Sequence, residues 1–156
     1  DNYGPAFSLK RSQRAINSTE NIVIRYNISE NDGLINDRCG ILISSLAPFG
    51  NVECYNNTFY AENRTTAKYS SVFLDNGYFA TAYFRNNIFL LSGPSTYAVE
   101  SRFSNLSSLN AVFRNNNFFS LTNNLAFKWG ENIYNTIEQW AVAVPGQENT
   151  GNAILG

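Results

Sequence analysis

Ile24-Arg25-Tyr26-Asn27-Ile28-Ser29, Cys54-Tyr55-Asn56-Asn57-Thr58-Phe59, Phe84-Arg85-Asn86-Asn87-Ile88-Phe89 and Phe113-Arg114-Asn115-Asn116-Asn117-Phe118 are four versions of one phrase. Their reference asparagines, Asn27, Asn57, Asn87 and Asn116, stand 30, 30 and 29 residues apart. A period of that size marks a solenoid. One copy cannot bury its apolar face alone and does so by stacking on the next.

Working outward from the asparagine, the preceding residues alternate. Ile22 and Ile24, Val52 and Cys54, Ala82 and Phe84, and Ala111 and Phe113 fall on one side. Val23 and Arg25, Glu53 and Tyr55, Tyr83 and Arg85, and Val112 and Arg114 fall on the other. Period two with one apolar face predicts a half-buried strand, with Ile24, Cys54, Phe84 and Phe113 stacked inside. The second asparagine of the pair is expected to make the turn, since asparagine tolerates left-handed dihedrals. Phe59, Phe89 and Phe118 then return to the interior, and stacked Asn27, Asn57, Asn87 and Asn116 are expected to bond along the axis as a ladder. A second apolar strand recurs at 40–43, 71–74, 96–99 and, less regularly, 125–128. Coil boundaries fall near residues 21, 51, 81 and 110, with variable loops at 31–38, 62–68 and 91–95.

An antiparallel sandwich needs tight hairpins, yet Asp32-Gly33 is the one strong hairpin dipeptide near the phrases, and the fixed register would go unexplained. Helical solenoids fail because β-branched, aromatic and asparagine-rich phrases are poor helix formers. Leucine-rich repeats need leucines at positions that here hold Ile, Cys and Phe. The reading is all-β: a parallel β-helix of about four coils over 21–130. Residues 1–20 form an N-terminal segment in which Phe7 and Ile16 offer a partial cap, and 131–156 form a C-terminal capping segment. Ile133, Ile137 and Trp140 recur at helical spacing and predict a short helix within 131–140. The weak N-terminal cap leaves an open end, to be covered by upstream coils or a protein partner.

Composition narrows the functional classes. The formal net charge is -1, from 11 basic and 12 acidic residues, with no basic block to hold nucleic acid. No apolar run reaches the roughly 20 residues of a membrane span. Histidine is absent, so no Ser-His-Asp or Cys-His arrangement can form, and Cys39 with Cys54 cannot complete a structural zinc site. Those cysteines suit either one disulfide or inert buried thiols. Sequons begin at Asn17, Asn27, Asn56, Asn63 and Asn105 and lean towards a secreted or cell-surface chain. No phosphate-binding glycine loop supports a nucleotide cofactor. The oxygen-rich loop of Glu30, Asn31, Asp32, Asn36 and Asp37 offers ligands for calcium, while an Asx turn explains it with less machinery.

The stretch from Asn21 to Gly33, Asn-Ile-Val-Ile-Arg-Tyr-Asn-Ile-Ser-Glu-Asn-Asp-Gly, resembles the repeat phrase of secreted right-handed parallel β-helix proteins of the pectate-lyase-like superfamily. The tail from Asn135 to Trp140, followed by Gly146-Gln147-Glu148-Asn149, resembles the segment that closes such a helix in bacterial polysaccharide-processing proteins. The resemblance implies a right-handed coil and a polysaccharide ligand. That superfamily holds lyases, hydrolases, epimerases and non-catalytic members. Its lyases use calcium-bound acids with an arginine or lysine base, and its galacturonan hydrolases use clustered aspartates. No contiguous motif of either kind transfers to residues here.

Two candidate sites emerge. Aligning the second strands puts Ser44, Asp75 and Glu100 in one row, so Asp75 and Glu100 are candidate catalytic acids, or simply solvated strand ends. On the outer side of the first strand, Tyr55, Tyr83, Arg85 and Arg114, with Arg25 and Glu53, form a face of flat rings and guanidinium groups. It suits a sugar through stacking and bidentate hydrogen bonds, or else a solvated scaffold or a protein contact. The expected activity is carbohydrate binding or polysaccharide cleavage; the alternative is a structural or adhesive β-helix.

Overall fold

The computed structural model describes residues 4–11, 21–34, 39–79, 81–102, 110–122, 124–144, 147 and 152–155. It is a right-handed parallel β-solenoid of about three full turns, counted between the first and last stacked asparagines. Each coil contributes three strands. The alternating stretch before the asparagine gives β2 (Ile22–Arg25), β5 (Val52–Tyr55), β8 (Ala82–Arg85) and β11 (Ala111–Arg114). Directly after it come β3 (Ile28–Glu30), β6 (Thr58–Glu62), β9 (Ile88–Ser92) and β12 (Asn117–Ser120), joined at the chain's end by β15 (Asn152–Leu155). The third side is built from β1 (Phe7–Arg11), β4 (Cys39–Phe49), β7 (Tyr69–Phe79), β10 (Thr96–Ser101) and β13 (Phe127–Trp129), closed by β14 (Asn132–Tyr134) running antiparallel to β13. We call these sides sheet B, sheet C and sheet A; all other neighbouring strands pair in parallel.

The repeat phrase stacks residue on residue. Ile24, Cys54, Phe84 and Phe113 pair in register and are all buried. Phe84 and Phe113 stack with ring centroids 4.5 Å apart, and Phe59, Phe89 and Phe118 form a second column at 5.4 and 5.1 Å. Such a column makes each coil's stability depend on its neighbours.

The asparagine ladder is present and has a direction. Asn57 Oδ1 accepts from both the backbone N–H and the side-chain amide of Asn27, at 3.0 and 2.9 Å. Asn87 Oδ1 does the same for Asn57, and Asn116 Oδ1 for Asn87. The amides of Asn57, Asn87 and Asn116 also donate to the carbonyls of Ile24, Cys54 and Phe84 one coil back. Asn57, Asn87 and Asn116 are fully buried, and these bonds remove the cost of burying an amide.

The turn lies one residue earlier than expected. Tyr26, Asn56, Asn86 and Asn115 take the left-handed conformation, with φ of 54 to 56°. The second asparagine stays out of it because its side chain is committed inward to the ladder.

The end of the chain departs in a second way. Ile133 lies in β14 and is exposed, and the helix, α1, spans Ile137–Ala143. Thr136 is its N-cap, accepting from the Gln139 N–H at 3.2 Å, while Gln139 Oε1 accepts from the Asn135 N–H. This Thr-x-x-Gln pattern is close to a capping box and sets the start at residue 137. Trp140 stacks on Phe127 at 4.7 Å and meets Phe113 edge-on, covering the ends of the aromatic columns. At the other end Phe7, on β1, packs edge-on against Phe59. Ile16 lies outside the described residues. No helix is long and apolar enough to cross a membrane among those residues.

Candidate functional site

Sheet B presents its outward residues in two parallel rows. The pairing Arg25–Tyr55–Arg85–Arg114 makes one, and Val23–Glu53–Tyr83–Val112 makes the other. Strand alternation aims these side chains outward, and the ladder beneath fixes the register. All four residues expected to hold a sugar, Tyr55, Tyr83, Arg85 and Arg114, therefore share one face.

The rows are bonded to each other. The Arg85 guanidinium pairs with Glu53 and lies 5.0 Å over the Tyr55 ring. Arg25 donates to the Tyr55 hydroxyl at 3.2 Å, and that bond raises the arginine's pKa above its ordinary value. Tyr26 extends the aromatic strip, meeting Tyr55 edge-on at 6.2 Å. The phrase comparison set Tyr26 opposite the first asparagine of the pair and assigned it to no face, although the residue is 70% exposed beside this one. Arg114 makes no ion pair among the described residues. Tyr83, Arg85, Val112 and Arg114 line a shallow depression of about 180 Å³. Three arginines against one glutamate leave the face positive, on a chain whose net charge is -1.

The candidate acids stand elsewhere. Asp75 on β7 and Glu100 on β10 belong to sheet A, a different side of the coil, and they do not face one another. Glu100 pairs with Phe73, and Ser101 with Leu74, so Arg102 follows onto Asp75. The expected row thus holds for Ser44 and Asp75, which bond to each other, and is corrected at Glu100, which lies beside Phe73 instead. The cause is loop length: Tyr69 comes 12 residues after Asn57, whereas its partner Thr96 comes 9 after Asn87. Asp75 accepts from Ser44 Oγ at 3.0 Å and pairs with Arg102 at 2.8 Å. Glu100 accepts from Ser70 Oγ at 2.7 Å and pairs with Lys128 at 3.1 Å. Each acid is held by its own base and its own hydroxyl.

The remaining polar candidates resolve into structural contacts. Asp32 accepts from Ser29 Oγ at 2.7 Å, and Asn31 Oδ1 accepts from the Glu62 N–H. Asn36 and Asp37 lie outside the described residues, among which no group of three His, Cys, Asp or Glu side chains gathers to hold a metal. Both cysteines are buried thiols not joined in a disulfide, and burial pushes the Cys54 thiol up to about 12. Of the sequons, Asn27 commits its amide to the ladder and Asn63 donates to the Ala67 carbonyl at 2.6 Å. Asn56 is exposed, while Asn17 and Asn105 lie outside the described residues.

A second, larger depression of about 330 Å³ lies near Pro94, Tyr97, Asn124, Ile133 and Asn135. It carries no charged group. No family model, no curated protein and no solved structure matches this chain.

Proposed function

We propose that the protein is a carbohydrate-binding β-solenoid of the secreted or cell-surface kind, whose sheet B face takes a glycan lying along the coil axis. The observation that carries this reading is the in-register row of Arg25, Tyr55, Arg85 and Arg114 beside Glu53 and Tyr83. Coils repeat about every 4.8 Å, a spacing close to the length of one pyranose unit in an extended chain. Tyrosine rings stack on the apolar faces of sugars, and arginine forks bind hydroxyl or carboxylate oxygens. The excess of arginine favours acidic polysaccharides over neutral ones. A placement outside the cell rests on the resemblance of the repeat phrase.

Binding rather than cleavage is the better-supported activity. A shared proton or an acid and base working on one bond needs carboxylates on a common cleft, and Asp75 and Glu100 each sit in a separate ion pair. The test is retention of uronic-acid and neutral oligosaccharides in affinity electrophoresis, with product analysis in the same samples. Acidic oligosaccharides should be retained, and Arg114→Ala or Tyr83→Ala should weaken retention at least tenfold in a folded protein. Retention unchanged by both variants would refute the site. Turnover lost on Asp75→Asn or Glu100→Gln would restore the catalytic reading, and neither retention nor turnover would favour a structural or adhesive role.

A further inference from the structure

We propose that the N-terminal end of the solenoid is a docking edge for one more parallel strand, one with the same repeat phrase and an asparagine at the ladder position. The ladder itself is the first ground. Every later rung accepts, on its Oδ1, two hydrogen bonds from the asparagine one coil towards the N-terminus. Asn27 gives its own hydrogens to Asn57 Oδ1 and the Arg25 carbonyl, yet its Oδ1 accepts nothing among the described residues. The missing donors are those of an asparagine one coil earlier.

The strand edges agree. Among the described residues β2 ends sheet B and β3 ends sheet C. The Ile22 N–H points to the next coil, so by alternation the N–H groups of Val23 and Arg25 point away from it. The first coil also exposes apolar side chains that the later coils shield better: Val23 at 53% and Ile28 at 86%.

The opposite end is closed by a specific device. Buried Gln147 accepts from the Phe113 N–H at 3.0 Å and donates to the Ala111 carbonyl at 2.7 Å. Those are the two bonds a residue of a further parallel strand would make to β11. One end of sheet B thus carries a side-chain substitute for a strand, and the other carries an acceptor that no described residue fills.

The fold leaves room for that occupant. Each coil runs from sheet B through sheet C to sheet A, and β1 stands beyond β4 on sheet A, with Phe7 opposite Ile41. Beyond β2 and β3, among the described residues, no strand continues that layer onto sheets B and C. A second copy fits worse. Head to head it would set one Asn27 Oδ1 against another, two acceptors without a proton, and head to tail it would meet Gln147 and α1.

The test adds a synthetic peptide copying residues 51–62, with Cys54→Ile to prevent oxidation, to the intact chain. Hydrogen exchange at the Val23 and Arg25 amides should slow at least tenfold at saturation. A peptide with Asn57→Leu, or a protein with Asn27→Leu, should bind at least tenfold more weakly. Exchange already protected without peptide, equal binding of the leucine peptide, no binding, or a dimer in sedimentation would each overturn the proposal.

Discussion

At Tyr26 the chain turns left-handed with φ 56°, a conformation that the other coils assign to Asn56, Asn86 and Asn115. A bulky side chain there costs about 1–2 kcal/mol, and asparagine offsets part of it by local hydrogen bonding. Tyr26→Asn is expected to raise stability by about 0.5–1 kcal/mol in denaturant unfolding, even though it loses the edge contact with Tyr55. The ladder gives the opposite case. Asn87→Leu leaves the Asn57 N–H without its acceptor in the core and takes one side-chain donor each from the Cys54 carbonyl and from Asn116 Oδ1, which keeps the backbone N–H of residue 87, and should cost about 2–3 kcal/mol. Asn27→Leu, at the part-exposed first rung, should cost far less. Equal losses at the two rungs would mean that the ladder does not act through burial. Cys54 adds a pH effect whose sign is fixed. Its thiol is neutral in the fold, with a value near 12 against an ordinary 9.0. Between those values the unfolded chain releases a proton that the folded chain keeps. Stability is therefore intact below about pH 9 and falls as pH rises, by up to ~1.4 kcal/mol per pH unit. Cys54→Ala should flatten that part of the alkaline slope, read from unfolding curves at successive pH values.

Among the elements, what was legible followed the period. Sheet B was readable because its strands alternate in four copies at nearly fixed spacing, so Ile24, Cys54, Phe84 and Phe113 could be assigned inward and Tyr55, Tyr83, Arg85 and Arg114 outward without coordinates. Sheet A was readable as strands but not in register. Its pairing depends on loops whose lengths differ by three residues between the second and third coils, and a slip of two moved Glu100 from beside Phe73 to beside Asp75. The helix start was misplaced because apolar spacing at Ile133, Ile137 and Trp140 outweighed the Thr136-Ile137-Glu138-Gln139 cap, which was the better signal. The turn was misassigned because both members of an Asn-Asn pair can adopt positive φ, and only the ladder's need for an inward amide separates them. Two elements invite tests. Phe84→Ala opens a cavity in a column where its ring is stacked on Phe113, and should cost roughly 3–5 kcal/mol. A change in unfolding free energy near zero would contradict its burial. Gln147→Ala should uncover the Phe113 N–H and Ala111 carbonyl at the β11 edge. Exposed edges recruit other strands, so this variant should self-associate in sedimentation while the parent protein stays monomeric.

For the whole molecule, stability and binding draw on different physics, and salt separates them. The fold is held by stacked apolar columns and by buried amide bonds that mobile ions do not reach. Among the described residues three of the four ion pairs lie at the surface, where each contributes between zero and about 1 kcal/mol, and the fourth, Lys128–Glu100, is largely buried and so little screened by salt. The Arg102 and Arg64 side chains of two surface pairs are 63% and 78% exposed. Raising ionic strength from 0.05 to about 0.5 M shortens the Debye length to a few ångströms and should leave the thermal midpoint nearly unchanged. The sheet B face behaves differently, because its attraction for an acidic glycan comes from Arg25, Arg85 and Arg114 summed along adjacent coils, with only Glu53 opposing them. Retention of a uronic-acid oligosaccharide should therefore weaken at least tenfold over the same range. Arg114→Gln should reduce both the affinity and its dependence on salt, since it removes the one arginine of the row that has no partner of its own in the site. Tyr83→Ala should reduce affinity yet leave the salt slope intact, because ring stacking is not screened. If salt moves stability and binding together, or if Tyr83→Ala flattens the slope as Arg114→Gln does, the face does not work by charge along the coil axis.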